Sequence, residues 1–233
     1  MRSALFSILM LFAFSGNAQF KDLLNKAKNT LQDQGETDYA SGLKEALELG
    51  VGEAVNKLSA EKGYLESPYK ILIPEEAKQI IAKVKMVPGF QDVETKLIDQ
   101  MNKAAELAAK KATPIFVNAI KQMTIQDATS IVRGEDNAAT MYLEKTSRQP
   151  LYDAFLPVVR EALDEINART YWASVVKAYN NIPFVKKLNP ELDAHVNHKA
   201  LDGLFSLIAV KEKGIRTDVN QRTSDLLKKV FGK

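Results

Sequence analysis

The sequence contains no cysteine among its 233 residues. This absence excludes a disulfide framework, a thiol nucleophile, a thiolate metal site and lipid attachment at a lipobox cysteine. Histidine is also scarce, with two residues, and tryptophan occurs once. Because no covalent crosslink is available, the stability of the folded chain must come from packing alone.

A strong charge of either sign is missing as well. Lysine and arginine number 32 and aspartate and glutamate 29, so the formal net charge is +3. This near balance provides no electrostatic reason to expect a nucleic-acid partner. The sequence has neither a phosphate-binding glycine loop nor a Gly-x-Ser-x-Gly nucleophile elbow. No cofactor is predicted.

The chain begins with a pattern typical of a cleavable signal peptide. Arg2 precedes an apolar run at residues 4–14, and the small residues Gly16 and Ala18 occupy the two positions that a signal peptidase reads. A transmembrane anchor is the alternative, but a membrane span needs about 20 apolar residues. We therefore expect a signal peptide over residues 1–18, cleavage after Ala18, and a periplasmic mature protein that has no membrane span and is not a lipoprotein.

Residues 19–38 are predicted to form an amphipathic segment, Phe20–Leu31, followed by a polar linker. Apolar residues recur at helical spacing in this segment, and lysines lie on its other faces. Such a segment can dock on its own domain or lie on an anionic membrane surface. Docking on the domain is the more common outcome, and peripheral membrane contact through Phe20–Leu31 remains the alternative.

From residue 39 to residue 233 the apolar residues keep helical spacing almost without interruption, and period-two alternation is absent. The pattern predicts a single all-α domain. We expect a compact bundle of about eight to ten helices, mostly antiparallel neighbours with short connections capped by proline, glycine or asparagine. Gly50 and Gly52 fall inside the first apolar stripe, which favours a close helix crossing there, with a loop or an early helix end as the alternative.

The boundaries between helices follow from proline, glycine and capping residues. Gly134 and Gly214 mark predicted helix ends. Val175 and Tyr171 belong to one predicted apolar stripe. Predicted helix starts lie at Pro74, at Thr124 with Asp127 as a capping pair, at Asp136 or Asn137, at Gln149-Pro150, at Asn189-Pro190 and at Thr223.

Four segments carry a resemblance to a known family: Phe116–Thr146, Tyr179–Val185, Lys199–Ile215 and Arg222–Gly232. Over about residues 40–232 the chain resembles the bacterial domain-of-unknown-function family numbered 4197. The resemblance implies an exported helical domain of the cell envelope with no assigned activity. Some members of this family are lipoproteins, and this chain departs from them because Gln19 follows Ala18.

A polar cluster within the first of these segments is the main candidate for a ligand site. A helix start at Asp136 or Asn137 would offer free backbone N–H groups beside Arg133, and together they could hold an anion. The same residues could instead serve as helix caps and ion pairs. Asp127 could also pair with Asp136 or Glu144 for acid-base chemistry. The candidate residues are Thr124, Asp127, Arg133, Asp136, Thr140, Tyr142 and Glu144.

His195 and His198 are weak candidates for a metal site. They lie three residues apart, on one face of a predicted helix, with Asp193 nearby. Two imidazoles at this spacing could ligate a metal, but no third ligand of known position accompanies them. A polar helix face is the ordinary alternative.

These observations lead to two functional hypotheses. The first is a non-enzymatic binding protein of the periplasm whose partner is an envelope protein or a small amphipathic ligand, because the helical stripes leave room for an uncovered groove. The second is a hydrolase-type enzyme that uses the polar cluster at residues 124–144.

Overall fold

The computed structural model describes residues 39–86, 88, 90–222 and 225–232. Within these ranges the backbone forms α-helices, two short 3-10 turns and no β-strand, and the helices pack as one bundle. The predicted all-α fold class is therefore confirmed. The predicted signal peptide and the Phe20–Leu31 segment lie outside the described residues.

The connections between consecutive helices vary in length, from residues 110–111 to residues 60–77. The 3-10 turns are Glu75–Ala77 and Val219–Gln221. No helix in the described ranges is both long and apolar enough to cross a bilayer. In chain order the helices are α1 (39–59), α2 (Lys78–Val84), α3 (Val93–Ala109), α4 (Ala112–Gln122), α5 (Ile125–Val132), α6 (Ala138–Asp164), α7 (Ala168–Asn180), α8 (Leu192–Thr217) and α9 (Asp225–Phe231).

Helix α6 lies at the centre of the bundle, against α3 on one side and α8 on the other. Gln100, in the first half of α3, donates to the carbonyl of Ala162 near the end of α6. Thr140, near the start of α6, bonds to Glu212 near the end of α8. The central helix is therefore antiparallel to both neighbours. The core side chains of these three helices include Met101, Ala105, Ala108, Leu143, Leu151, Phe155, Leu201, Leu204 and Phe205.

Two buried polar side chains of α3 hold the connection between α1 and α2. The Glu106 carboxylate accepts the backbone N–H groups of Lys62 at 3.1 Å and Tyr64 at 3.2 Å. The Asn102 side chain accepts from the N–H of Ile71 and donates to its carbonyl, each at 2.8 Å. Because this connection is not helical, its backbone groups need such partners when they are buried.

The predicted helix start at Gln149-Pro150 is wrong, because α6 runs through Pro150 and Pro157 as one helix of 27 residues. The two prolines are seven residues apart and both are exposed, so they share the solvent face. Proline removes one N–H and leaves a carbonyl four residues earlier without its helical partner. The residues at those positions, Thr146 and Asp153, are also exposed, so water can hydrate their carbonyls.

The glycine interpretations also need correction. Gly50 and Gly52 lie within α1, and a Cβ at either would have no neighbour within 4 Å, so no close helix crossing exists there. The close approach is at Gly203 in α8, where a Cβ would lie 3.0 Å from the Cβ of Tyr69 and 3.1 Å from Cε1 of Tyr64.

Helix α8 and helix α7 differ from the predicted pattern at two further positions. Gly214 does not end α8, which continues to Thr217. In α7, Tyr171 is 62% exposed while the neighbouring Trp172 is 4% exposed. The buried stripe of α7 is therefore formed by Ala168, Trp172 and Val176, and Tyr171 faces outward.

We expect Gly203→Val to lower the free energy of unfolding by about 1 to 3 kcal/mol, because added core volume forces neighbouring groups to shift. The hydroxyl of buried Tyr64 is held by the carbonyl of Ala200 at 2.7 Å, so this neighbour cannot easily yield. Gly50→Val is the matched control and should leave stability unchanged or slightly raised. Urea unfolding of both variants measures the difference, and equal midpoints would contradict the packing argument.

Candidate functional site

The start of α5 has the capping arrangement that the sequence predicts. The Thr124 hydroxyl accepts the N–H of Asp127 at 3.1 Å, and the Asp127 carboxylate accepts the N–H of Thr124 at 3.0 Å and its hydroxyl at 2.7 Å. These hydrogen bonds stabilise the ionised carboxylate and lower the pKa of Asp127. Thr124 and Asp127 therefore satisfy each other at this helix end.

The start of α6 already binds a carboxylate of the chain itself. Glu212 is buried and accepts the N–H of Ala139 at 2.9 Å, the N–H of Thr140 at 2.8 Å and the Thr140 hydroxyl at 2.8 Å. A helix N-terminus carries partial positive charge, so an anion is favourable there. An external anion at this position would have to replace Glu212.

Arg216 completes this arrangement from the next turn of α8. Its guanidinium donates from Nε and Nη2 to Glu212 at 3.0 and 2.9 Å, and from Nη2 to the carbonyl of Ile131 at 2.9 Å. It also lies over the Phe231 ring of α9, at 5.3 Å from the ring centroid. The Glu212–Arg216 pair thus joins the negative end of α5 to the positive end of α6.

The other candidates of the polar cluster are dispersed. Arg133 and Asp136 are exposed, and their side chains form no hydrogen bond or ion pair with each other or with other described residues. Glu144 pairs with Arg148 of its own helix at 3.0 Å. Tyr142 is half-buried, and burial, with the negative charge of Asp127, raises its pKa.

Thr124 and Asp127 are thus joined by hydrogen bonds, and Tyr142 lies near enough to Asp127 for the carboxylate charge to act on its hydroxyl. Thr140 is directed toward α8 and belongs to the Glu212 group instead. The ligand site at residues 124–144 stays a prediction, and its helix-capping alternative agrees with the contacts of Thr124, Asp127 and Thr140.

His195 and His198 have separate surroundings. The His195 Nε2 atom lies 2.9 Å from the carbonyl oxygen of Leu72, and the His198 ring lies against Tyr152 with a centroid distance of 4.9 Å. Asp193 is buried and paired with Arg160 at 2.6 Å. Among the residues that the structure describes, no three His, Cys, Asp or Glu side chains come together as a group that could hold a metal ion.

An apolar cleft between α2, α3 and α7 is a concave feature that sequence reasoning did not locate. Its volume is about 560 Å³. The first half of α7 forms one wall and the start of α3 the other. Apolar side chains dominate its lining: Ile81, Val84, Phe90, Val93, Leu97, Ile166, Ala168, Tyr171, Trp172 and Val175. We call this feature the α2–α3–α7 cleft.

Polar groups of this cleft come mainly from one wall, α3 and the residue before it. Asp92 and Lys96 form an ion pair at 2.8 Å, and Asp99 and Gln100 follow on the next turn. The indole Nε1 of Trp172 donates to the carbonyl of Asn189 at 3.2 Å, so the polar atom of this ring is satisfied on the side of the α7–α8 connection. The cleft thus combines an apolar surface with a few polar groups, as small-molecule sites do.

The sequence contains a signal for this cleft. Phe90 is a large apolar residue that lies outside every predicted stripe. Tyr171 and Ile166 fit predicted apolar stripes by their spacing, yet all three residues are exposed. Their proximity depends on how α7 packs against α3, which the spacing of residues within one helix does not reveal.

Glu212→Gln should lower the free energy of unfolding by about 3 to 5 kcal/mol, because it leaves the buried Arg216 guanidinium without its counter-charge. Glu144→Gln is the matched control: it removes the same charge from a more exposed pair and should cost less than about 1 kcal/mol. Chemical denaturation at pH 7 measures both. Equal losses of unfolding free energy in the two variants would show that the buried pair stabilises the fold no more than the exposed pair does.

Thr124→Ala and Asp127→Ala should each cost about 1 kcal/mol at pH 7, as the loss of a helix cap does. The pKa of Asp127 is lower in the folded state, so its stabilisation is present above the unfolded pKa of about 4 and is lost as the pH falls below it. The stability gap between the parent and Asp127→Ala should therefore narrow under acid.

Asp136→Ala and Arg133→Ala are the controls for these caps, and each should change stability by less than about 0.5 kcal/mol. Thermal unfolding from pH 7 down to pH 3 provides the comparison. A pH-independent gap, or equal losses for Asp127→Ala and Asp136→Ala, would contradict the capping role.

Comparison with known proteins gives one match. The family model described as protein of unknown function (DUF4197) matches residues 33–232. No curated protein and no solved structure matches the chain. Since the family model covers nearly the whole chain, including both walls of the α2–α3–α7 cleft, the chain belongs to the DUF4197 family of proteins of unknown function.

Proposed function

We propose that this protein is an exported periplasmic binding protein that takes a small amphipathic ligand into the α2–α3–α7 cleft. The observation that carries the proposal is the cleft itself, a concave surface lined mainly by apolar side chains. Export is supported by the signal-peptide pattern of residues 1–18, in which a basic residue, an apolar run and small residues follow in order.

The dimensions of the cleft favour a small ligand over an envelope protein. Small-molecule sites have volumes of about 300 to 1,000 Å³, and the cleft, at about 560 Å³, falls within this range. A specific protein interface instead buries about 800 Å² on each partner. An apolar chain in the cleft with a polar head near Asp99 and Gln100 would match the distribution of its lining groups.

A hydrolase that uses residues 124–144 is the alternative function. The contacts of that region favour helix capping over catalysis, because Asp127 is hydrogen-bonded to Thr124 and the Thr140 hydroxyl to Glu212. We therefore place the proposed function in the cleft and not in the polar cluster.

Trp172 provides an intrinsic test because it is the single tryptophan of the sequence and lines the cleft. A long-chain alcohol, whose uncharged head group can hydrogen-bond to Asp99 and Gln100, should change the tryptophan emission in a saturable way when added below its solubility limit. Val175→Asp should weaken the apparent affinity about tenfold or more, because an ionised carboxylate on the apolar lining must be desolvated when the ligand binds.

The matched control is Val210→Asp, which makes the same change at an exposed position within α8. This variant should bind like the parent, and circular dichroism should show that both variants are folded. An unsaturable fluorescence change, or equal affinities for the two variants, would overturn the proposed function.

A further inference from the structure

The connection between α7 and α8 holds an aromatic side chain out in solvent. Phe184 is fully exposed and Ile182 is 49% exposed. The backbone of Phe184 has φ 64°, in the left-handed region that bulky residues rarely occupy. We call residues 181–187 the α7–α8 loop.

The base of this loop is closed by Asn180. Its side chain accepts the N–H of Leu188 and donates to the carbonyl of Leu188, both at 2.9 Å. The ammonium group of Lys187 donates to the carbonyl of Asn180. Because these hydrogen bonds join the two ends of the loop, they fix the backbone that carries Phe184 into solvent.

The charged residues along the chain from Lys177 to Glu191 are predominantly positive. Lys186 and Lys187 are exposed and follow the apolar residues directly, and Lys177 precedes them on α7. Glu191 is the acidic residue between Lys177 and the start of α8. The hydrogen bond of Lys187 is to a neutral carbonyl, so it leaves the positive charge of that group in place.

An exposed aromatic ring beside basic residues matches the chemistry of an anionic lipid surface. There, apolar side chains enter the boundary between head groups and acyl chains, while lysines attract the anionic head groups. A protein interface would need a larger contact area than two side chains provide. We propose that the α7–α8 loop binds anionic membranes, with Phe184 and Ile182 inserted and Lys187 at the head groups.

Vesicle flotation with residues 19–233 tests this proposal. The parent should float with vesicles that contain 30 mol% phosphatidylglycerol in phosphatidylcholine, and it should float less with phosphatidylcholine alone or in high salt. Phe184→Gly should reduce the partition coefficient about tenfold or more. Glycine tolerates a positive φ, so this variant should also fold at least as well as the parent.

Two matched controls separate the loop from general surface effects. Met141→Gly removes an apolar side chain that is 60% exposed, at the opposite end of the bundle. Lys187→Glu should reduce the dependence of flotation on anionic lipid. Lys111→Glu makes the same change at an exposed lysine of the α3–α4 connection and should leave that dependence unchanged. Thermal unfolding of each variant checks its fold.

The result that supports the proposal is a selective loss of flotation in the loop variants. Three results would overturn it: no flotation of the parent with anionic vesicles, equal flotation of the parent and Phe184→Gly, or equal losses in the loop and control variants. If Phe184→Gly floats like the parent but converts a dimer to a monomer in sedimentation, the loop is a protein contact and not a membrane contact.

Discussion

The buried ion pair between Glu212 and Arg216 is the contact on which one whole end of the bundle depends. The C-terminus of α5, which is partially negative, lies close to the N-terminus of α6, which is partially positive. Arg216 donates to a carbonyl at the end of α5, and Glu212 accepts free N–H groups at the start of α6. The two residues lie on successive turns of α8 and form an ion pair with each other. Because both charges are buried, each needs the other, and the α5–α6 connection is held against α8.

The same pair explains how a helix start can look like a ligand site in the sequence. Free N–H groups at the start of α6 attract an anion, and the chain supplies that anion from 72 residues away. Local sequence therefore indicated that the start of α6 binds an anion. That the anion is the Glu212 carboxylate depends on how α6 and α8 pack against each other.

Helix α7 connects the two proposed interactions. Its first half forms a wall of the α2–α3–α7 cleft, and its end leads into the loop that exposes Phe184. Trp172 lies between these regions, with its ring along the cleft and its Nε1 bonded to the backbone of the α7–α8 connection. One helix thus links an apolar cleft with a basic, aromatic surface, which is a suitable arrangement for a protein that works near lipid.

Helical periodicity was sufficient to predict the all-α class and the buried stripe of α1, and the capping motif predicted the Thr124–Asp127 cap. Each of these features depends on residues within a few turns of one another. Packing determined the rest. The α6 backbone continues through Pro150 because its opposite face is buried against α3 and α8, and Gly203 approaches Tyr64 and Tyr69 because residues distant in sequence meet there. The cleft likewise exists only where three helices come together, so no single stretch of sequence contains it.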